Sequence, residues 1–112
     1  MKASTKELVG ASTGLLVLGV LRHGPSYGYD IVRRINQEAG GLFTWQEGTV
    51  YPLLHKLERQ GLIRSRWQEA ESGRRRKYYL LTAAGRAALT ETTRQWELFH
   101  QLVARCAGAS HA

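Results

Sequence analysis

Basic side chains are concentrated in one short part of the sequence, between Lys56 and Lys77. Eight positive charges minus three negative ones give this segment +5 of the chain's formal +7. A concentrated basic segment usually binds a polyanion, and nucleic acid is the commonest one. Charge alone leaves open that this is only solvated surface. The basic residues are Lys56, Arg59, Arg64, Arg66, Arg74, Arg75, Arg76 and Lys77, and the acidic ones are Glu58, Glu69 and Glu71.

Residue patterns that support catalysis or metal binding are missing from the sequence. No glycine-rich loop ends in Gly-Lys-Ser or Gly-Lys-Thr, so no phosphate-cradling loop is expected. The four histidines lack metal-ligand spacing with one another or with Cys106. The carboxylates are scattered and form no pair suited to general acid–base catalysis. We therefore expect no enzyme, no metal and no cofactor.

Length and composition indicate one compact domain with an ordinary hydrophobic core. The chain has 112 residues, of which 43% are hydrophobic and 22% charged, close to globular averages. Its longest uncharged apolar run, Leu8 to Leu21, is too short and too interrupted by glycine to span a bilayer. A single cysteine and the absence of a signal-peptide pattern suit a reducing compartment. We expect a cytoplasmic protein with no membrane partner.

Apolar periodicity and turn residues predict three helices in the first half of the chain. The first runs from about Ser12 to Arg22 and ends at His23-Gly24-Pro25, since glycine and proline stop a helix. Ser26 is predicted to cap a second helix that continues to Glu38. A third extends from about Gln46 to Gly61. Because Pro52 is tolerated best in a first turn, that helix is expected to start nearer Tyr51.

The pattern then changes to a hairpin followed by one long helix. Residues Ile63–Trp67 alternate between apolar and polar types, and Arg76–Leu80 do so less cleanly. The stretch Glu71–Arg74 between them is typical of a turn. Thr82 is predicted to cap a final helix that reaches about Ala107.

The final helix carries a seam of residues at alternating spacings of three and four, as in a heptad repeat. A single broad stripe against the chain's own core would also explain the seam, but the pattern favours a homodimer. The predicted interface residues are Leu89, Thr92, Trp96, Phe99, Val103 and Cys106.

The order of these elements predicts the fold class. Three helices, a basic hairpin and a further helix indicate a mainly α protein with a small β-hairpin, a winged helix-turn-helix. Residues 1–81 would bind DNA and residues 82–112 would form a dimerisation helix. The third helix would enter the major groove, while the hairpin would contact phosphates or the minor groove.

Three motifs resemble the PadR family of transcriptional regulators. They are residues 15–31 (LLVLGVLRHGPSYGYDI), residues 47–63 (EGTVYPLLHKLERQGLI) and residues 74–85 (RRRKYYLLTAAG). The resemblance implies a dimeric repressor of the short subgroup that has one C-terminal helix. Many such relatives release DNA on binding small aromatic or cationic compounds. Trp96 and Phe99 are therefore candidates for an inducer pocket at the dimer interface.

The candidate DNA-binding residues lie on the second and third helices and on the hairpin. The alternative to DNA contact is a partly buried ring for Tyr51 and an ion pair with Glu58 for Arg59. Of Tyr27 and Tyr29, which flank Gly28, at least one is expected in the core, and Trp67 is expected to support the hairpin. A protein- or RNA-binding winged helix without an operator is the rival function. The candidates are Tyr27, Gln46, Thr49, Tyr51, His55, Lys56, Arg59, Arg74, Arg75, Arg76 and Lys77.

Overall fold

The chain folds into four helices and a small sheet. A computed structural model describes the backbone of residues 3–108 and the side chains of residues 12–108. Residues 109–112 of the predicted dimerisation segment lie outside the described residues. The elements are α1 (Ala3–Leu21), β1 (Ser26–Tyr27), α2 (Gly28–Ala39), α3 (Glu47–Arg59), β2 (Ile63–Glu69), β3 (Arg75–Leu81) and α4 (Ala83–Ala107).

The hydrophobic core lies where α1, α2 and α3 meet the sheet. Its fully buried members include Val17, Ile31 and Leu54, one from each helix. Trp45, in the loop before α3, is also buried, and its indole N–H donates to the Thr13 hydroxyl at 3.1 Å. The Asn36 side chain both donates to the Trp45 carbonyl and accepts from its amide, at 3.0 and 2.8 Å. These contacts set the position of α3 relative to α2.

The sheet contains the predicted hairpin and one further strand. Strands β2 and β3 are antiparallel, with Ile63 opposite Leu81 and Glu69 opposite Arg75. The two-residue β1 pairs with the other edge of β3, where Tyr27 lies opposite Tyr78, giving the order β1-β3-β2. The sheet therefore connects the start of α2 directly to the hairpin.

The prediction of Ser26 as a helix cap was wrong. Ser26 is buried in β1, and its hydroxyl donates to the Asp30 carboxylate at 2.8 Å. Tyr27 occupies the cap position in an extended conformation opposite Tyr78, and its side chain makes no capping hydrogen bond. Burial alone would raise the pKa of Asp30, but hydrogen bonds from Ser26 and Arg33 lower it, so the carboxylate is ionised at neutral pH.

One other helix start differs from its prediction, and another agrees with it in part. Helix α1 begins at Ala3 rather than near Ser12, in a stretch whose sequence has no clear apolar periodicity to mark it. Helix α3 begins at Glu47 with Gln46 as its cap, which confirms the start near Gln46, while the later start near Tyr51 was wrong; the Val50 amide bonds to the Gln46 carbonyl. Pro52 thus lies in the second turn, where the amide hydrogen that proline lacks would have bonded to the carbonyl of the solvent-exposed Gly48.

Helix α4 begins as predicted, with Thr82 as its cap. The Thr82 hydroxyl accepts from the Gly85 amide at 3.0 Å and donates to the Gly61 carbonyl at 2.7 Å. The Thr82 side chain therefore connects the turn that follows α3 to the start of α4. Gly85 allows the close approach, because a β-carbon there would lie 1.9 Å from the Leu62 carbonyl oxygen.

Loss of this cap is expected to destabilise the fold. Thr82→Ala should lower the free energy of unfolding by about 1–2 kcal/mol, since the Gly85 amide and the Gly61 carbonyl both lose a partner. Thr82→Ser keeps the hydroxyl and should stay close to the wild type. Urea denaturation of the three proteins measures the difference. Equal stability of the alanine variant would contradict the capping role.

Candidate nucleic-acid interface

We call the hairpin of β2 and β3 the wing. Helix α3 and the wing enclose one concave surface of about 600 Å³, which we call the basin. Seven of the eleven candidate DNA-binding residues line it, although they come from three separate parts of the sequence. Its lining consists of Tyr27, Gly28, Tyr29, Tyr51, His55, Trp67, Arg74, Arg75, Arg76, Lys77 and Tyr79. The fold thus brings cations and aromatic rings onto a single surface.

Helix α3 presents its polar face on the side opposite the core. Val50, Leu54 and Leu57 are buried, as their spacing requires for an inward stripe. Tyr51 and His55, one turn apart, line the basin. The remaining α3 candidates are exposed beyond the basin, with Gln46 at the helix cap, Thr49 in the first turn, and Lys56 and Arg59 near the end.

Aromatic rings support two of the wing arginines. The Arg76 guanidinium lies 4.3 Å from the centre of the Tyr27 ring, which in turn meets Tyr78 edge-on at 5.5 Å. The Arg75 guanidinium lies 5.6 Å from the centre of the Trp67 ring, which is 60% exposed. Such contacts restrict a long flexible side chain before any ligand binds. Trp67 therefore lies beside the wing cations, and its role as a support for the hairpin stays a prediction.

Lys77 is held differently, by a carboxylate of α3. Its ammonium lies 3.9 Å from Glu58 and 5.4 Å from the centre of the Tyr79 ring. Glu58 also accepts a hydrogen bond of 2.6 Å from the Ser65 hydroxyl. Glu58 thus contacts the sheet, not Arg59, and joins α3 to both strands of the wing.

Tyr51 lies where α3 meets the start of α2. Its side chain is partly buried against Gly28, and burial, reinforced by the negative charge of Glu47, raises the pKa of the Tyr51 phenol. The hydroxyl therefore remains protonated at neutral pH and can donate a hydrogen bond to an anion. The alternative expected for Tyr51, a partly buried ring, is therefore observed, while its contact with DNA stays a prediction.

Comparison with known proteins shows which group this fold and surface belong to. Residues 17–91 match the Transcriptional regulator PadR-like family. The chain belongs to the PadR-like family. A crystal structure of a PadR family transcriptional regulator from Eggerthella lenta is similar at a TM-score of 0.83 and 32% identity, covering 96% of this chain and 92% of that one. The match confirms the winged-helix fold and its long C-terminal helix.

The structure of another relative of this PadR-like chain has been solved with DNA bound to it. The Negative transcriptional regulator PadR of Bacillus subtilis is 33% identical over 85 residues, covering 76% of this chain and 44% of the relative. The crystal structure of that protein in complex with operator DNA matches at a TM-score of 0.65 and 31% identity, covering 72% of this chain and 46% of that one. This chain thus spans less than half of the Bacillus protein. The family consists of transcriptional regulators rather than enzymes.

Helix α4 of the PadR-like chain leaves its apolar residues uncovered beyond its midpoint. Leu89 packs on the core, whereas Thr92 and Trp96 are half-buried and Cys106 is exposed. Phe99 is 57% exposed and Val103 is 40% exposed. Leu98 and Leu102, on a neighbouring face, are also exposed. The predicted seam therefore begins on the chain's own core and ends on open surface.

A second concavity, of about 700 Å³, borders the first half of α4. Leu16 and Val20 of α1, Phe43 of the loop before α3, and Leu89 and Thr93 of α4 are among its lining residues. In the part of the chain that the structure describes, no cluster of three His, Cys, Asp or Glu residues could hold a metal. No helix among those residues has the length and apolar character needed to cross a bilayer.

Three features of the candidate site were not predicted from the sequence. They are the contact between Arg76 and Tyr27, the packing of Tyr51 on Gly28, and the concavity beside α4. The Tyr27-Gly28-Tyr29 triplet was the only local signal for the first two. A glycine between two large rings indicates that some group approaches its backbone, but not which group.

Proposed function

We propose that this PadR-like chain is a homodimeric repressor that binds a pseudo-palindromic operator in double-stranded DNA. The observation that carries the proposal is the basin, in which Tyr51 and His55 of α3 face four consecutive wing cations. A convex, polyanionic duplex fits such a surface, with a helix in the major groove and a wing along the backbone. In a two-fold dimer the half-sites would lie about one helical turn apart, ~34–36 Å.

The candidate residues divide by the part of DNA that they would contact. His55 and Lys56 on α3, with Gln46 at its cap, would read base edges in the major groove. Thr49 and Tyr51, at the beginning of α3, would donate hydrogen bonds to phosphates. The wing residues Arg74, Arg75, Arg76 and Lys77 would neutralise phosphates with little regard to sequence. Lys77 would contribute least, because Glu58 already partly neutralises it.

The two parts of the chain would have separate tasks. Residues 1–81 would bind DNA, and residues 82–112 would join two copies through α4. The exposed Phe99 and Val103, and the concavity beside the first half of α4, are surfaces that a second copy would cover. A repressor of this kind acts where the genome is, so we place it in the cytoplasm.

The test of this function is footprinting on the DNA upstream of the chain's own gene, followed by titrations at several salt concentrations. A protected pair of half-sites, with affinity that falls steeply as salt rises, is the expected result. The rival is a winged helix that binds RNA or a protein and has no operator. Equal affinity for the footprinted duplex, random duplex and double-stranded RNA would favour that rival.

The proposal also includes release of the protein from DNA when a small aromatic ligand binds. Trp96 and Phe99 are three residues apart on α4 and are both accessible in the single chain. Two-fold symmetry would bring the same two rings of a second copy near those of the first and form a flat apolar slot for a planar compound. A positively charged compound would also gain cation–π attraction to the rings. The rings would otherwise simply fill the dimer core. Induction further requires that the ligand bind free protein more tightly than DNA-bound protein.

The slot predicts that binding of planar aromatic dyes depends on Trp96. Trp96→Ala should weaken dye binding at least about tenfold, since stacking on an indole contributes roughly 1 kcal/mol or more at each of two rings. Tryptophan fluorescence during dye titration measures this, with Trp67→Phe as the matched control. Dye binding that survives loss of Trp96 would exclude the slot. Dye binding that leaves operator affinity unchanged would exclude a role in induction.

A further inference from the structure

Gly28, the first residue of α2, packs against the aromatic ring of Tyr51. A β-carbon added to Gly28 would lie 2.4 Å from Cε1 of Tyr51, and 2.7 Å from both its Cζ and its Oη. Carbon atoms that are not bonded pack at about 3.5–4.0 Å. No residue other than glycine can therefore occupy position 28 while the ring stays where it is. The backbone of Gly28 is helical, so the requirement is for space and not for an unusual dihedral angle.

The group that meets Gly28 is the hydroxyl end of Tyr51, a residue that lines the basin. Tyr51 has only two main side-chain torsions, so one flat contact at the far end of the ring is enough to fix both. The contact places the phenol oxygen beside the beginning of α2, and Tyr51 is one of the residues that line the basin. The raised pKa of Tyr51 agrees with this burial.

Gly85 provides an instructive contrast, because a β-carbon there would meet a different kind of neighbour. At Gly85 the nearest atom would be the backbone oxygen of Leu62, 1.9 Å away, and this clash can be relieved only if the backbone of Leu62 or of α4 moves. At Gly28 all three nearest atoms belong to the end of one side chain. A methyl group at position 28 can therefore be accommodated by rotation of Tyr51 away from α2. The fold would remain, and the orientation of the tyrosine would be lost.

We propose that Gly28 is a positioning residue for DNA binding, which holds the Tyr51 hydroxyl in the basin by leaving room for its ring. The inference rests on the proposed DNA-binding function. Gly28 itself need not contact DNA, because its effect passes entirely through the orientation of Tyr51. Removing the ring should therefore also remove the requirement for glycine at position 28.

A double-mutant cycle tests this dependence. Gly28→Ala and Tyr51→Ala are each expected to weaken binding to the footprinted duplex by about tenfold, the value of one hydrogen bond to a charged group. The double variant should bind within about twofold of Tyr51→Ala alone. Gly14→Ala is the matched control, because it adds a methyl group to α1 whose nearest neighbour outside its own helix would be Cδ1 of Leu53 at 4.0 Å, an ordinary packing distance. Additive losses in the double variant would overturn the proposal.

A measurement without DNA separates this inference from the proposed function. The Tyr51 ring resonances, assigned with Tyr51→Phe, should shift in Gly28→Ala but not in Gly14→Ala, and the Tyr51 pKa should fall towards its ordinary value in Gly28→Ala. Unchanged Tyr51 resonances in Gly28→Ala would overturn the positioning role even if every variant bound DNA. If the wild-type chain bound no duplex, the DNA-binding function would fail while this measurement still decided whether Gly28 orients the ring.

Stability provides the last check on the same variants. If Gly28→Ala unfolds, the double variant should fold again, because loss of the Tyr51 ring opens the space that the methyl group needs. Circular dichroism of both proteins decides this point. A double variant that is also unfolded would show that Gly28 supports the backbone of α2, and would overturn its assignment to Tyr51.

Discussion

Replacing Arg75 and Arg76 together with alanine is expected to weaken DNA binding about 60-fold at 0.1 M salt. Each arginine that neutralises a phosphate releases a counterion and adds about 0.9 to the slope of log affinity against log salt. When the salt concentration falls from 1 M to 0.1 M, two such contacts raise the logarithm of the affinity by about 1.8, which is a factor of about 60. Arg76 is already held by Tyr27 and Arg75 by Trp67, so little flexibility is left to lose on binding.

The loss should be nearly the same for every duplex, because phosphates carry no sequence information. By contrast, His55→Ala and Lys56→Ala should change which duplexes are preferred as well as the affinity. A double variant with the same change in charge, Arg86→Ala with Arg94→Ala on α4, is the matched control. Gel shifts at several salt concentrations measure the slopes. An unchanged slope for the wing variant would refute its assignment as a phosphate-binding element.

Features with local signals were predicted well from the sequence. Thr82 is followed by a long periodic segment, and the structure confirms both the cap and the extent of α4. The turn between the wing strands was predicted from Glu71–Arg74, where glycine and polar residues interrupt the alternation. The basic character of the wing also follows directly from composition. In each case one short stretch of sequence contains the whole physical reason.

Features that depend on distant contacts were not predictable in this way. Ser26 has the residue type of a helix cap, but pairing of β1 with β3, about 50 residues away, determines its conformation. Gly28 gave no sign that its neighbour would be Tyr51 of another helix. Pro52 suggested a late start to α3, whereas packing of Val50 in the core favours an earlier one. Tertiary packing overrode local preference at all three positions.

Aspartate at Phe99 or Val103 is expected to dissociate the proposed dimer. These side chains are 57% and 40% exposed in the single chain, so neither is needed for the chain's own core. At a two-fold interface each substitution would bury an unpaired carboxylate in both copies, which costs several kcal/mol. The dimer dissociation constant should rise more than about 100-fold, since each tenfold change corresponds to 1.4 kcal/mol.

Sedimentation velocity at micromolar concentration distinguishes this interface from others. Both variants should sediment as folded monomers, because Leu89 would still attach α4 to the core. Gln101→Asp, on the opposite face of the same exposed stretch, adds the same charge and should leave the dimer intact. Operator affinity should fall with the dimer, since a monomer can bind only one half-site at a time. Intact dimers for both the Phe99 and Val103 variants would place the interface elsewhere on the chain.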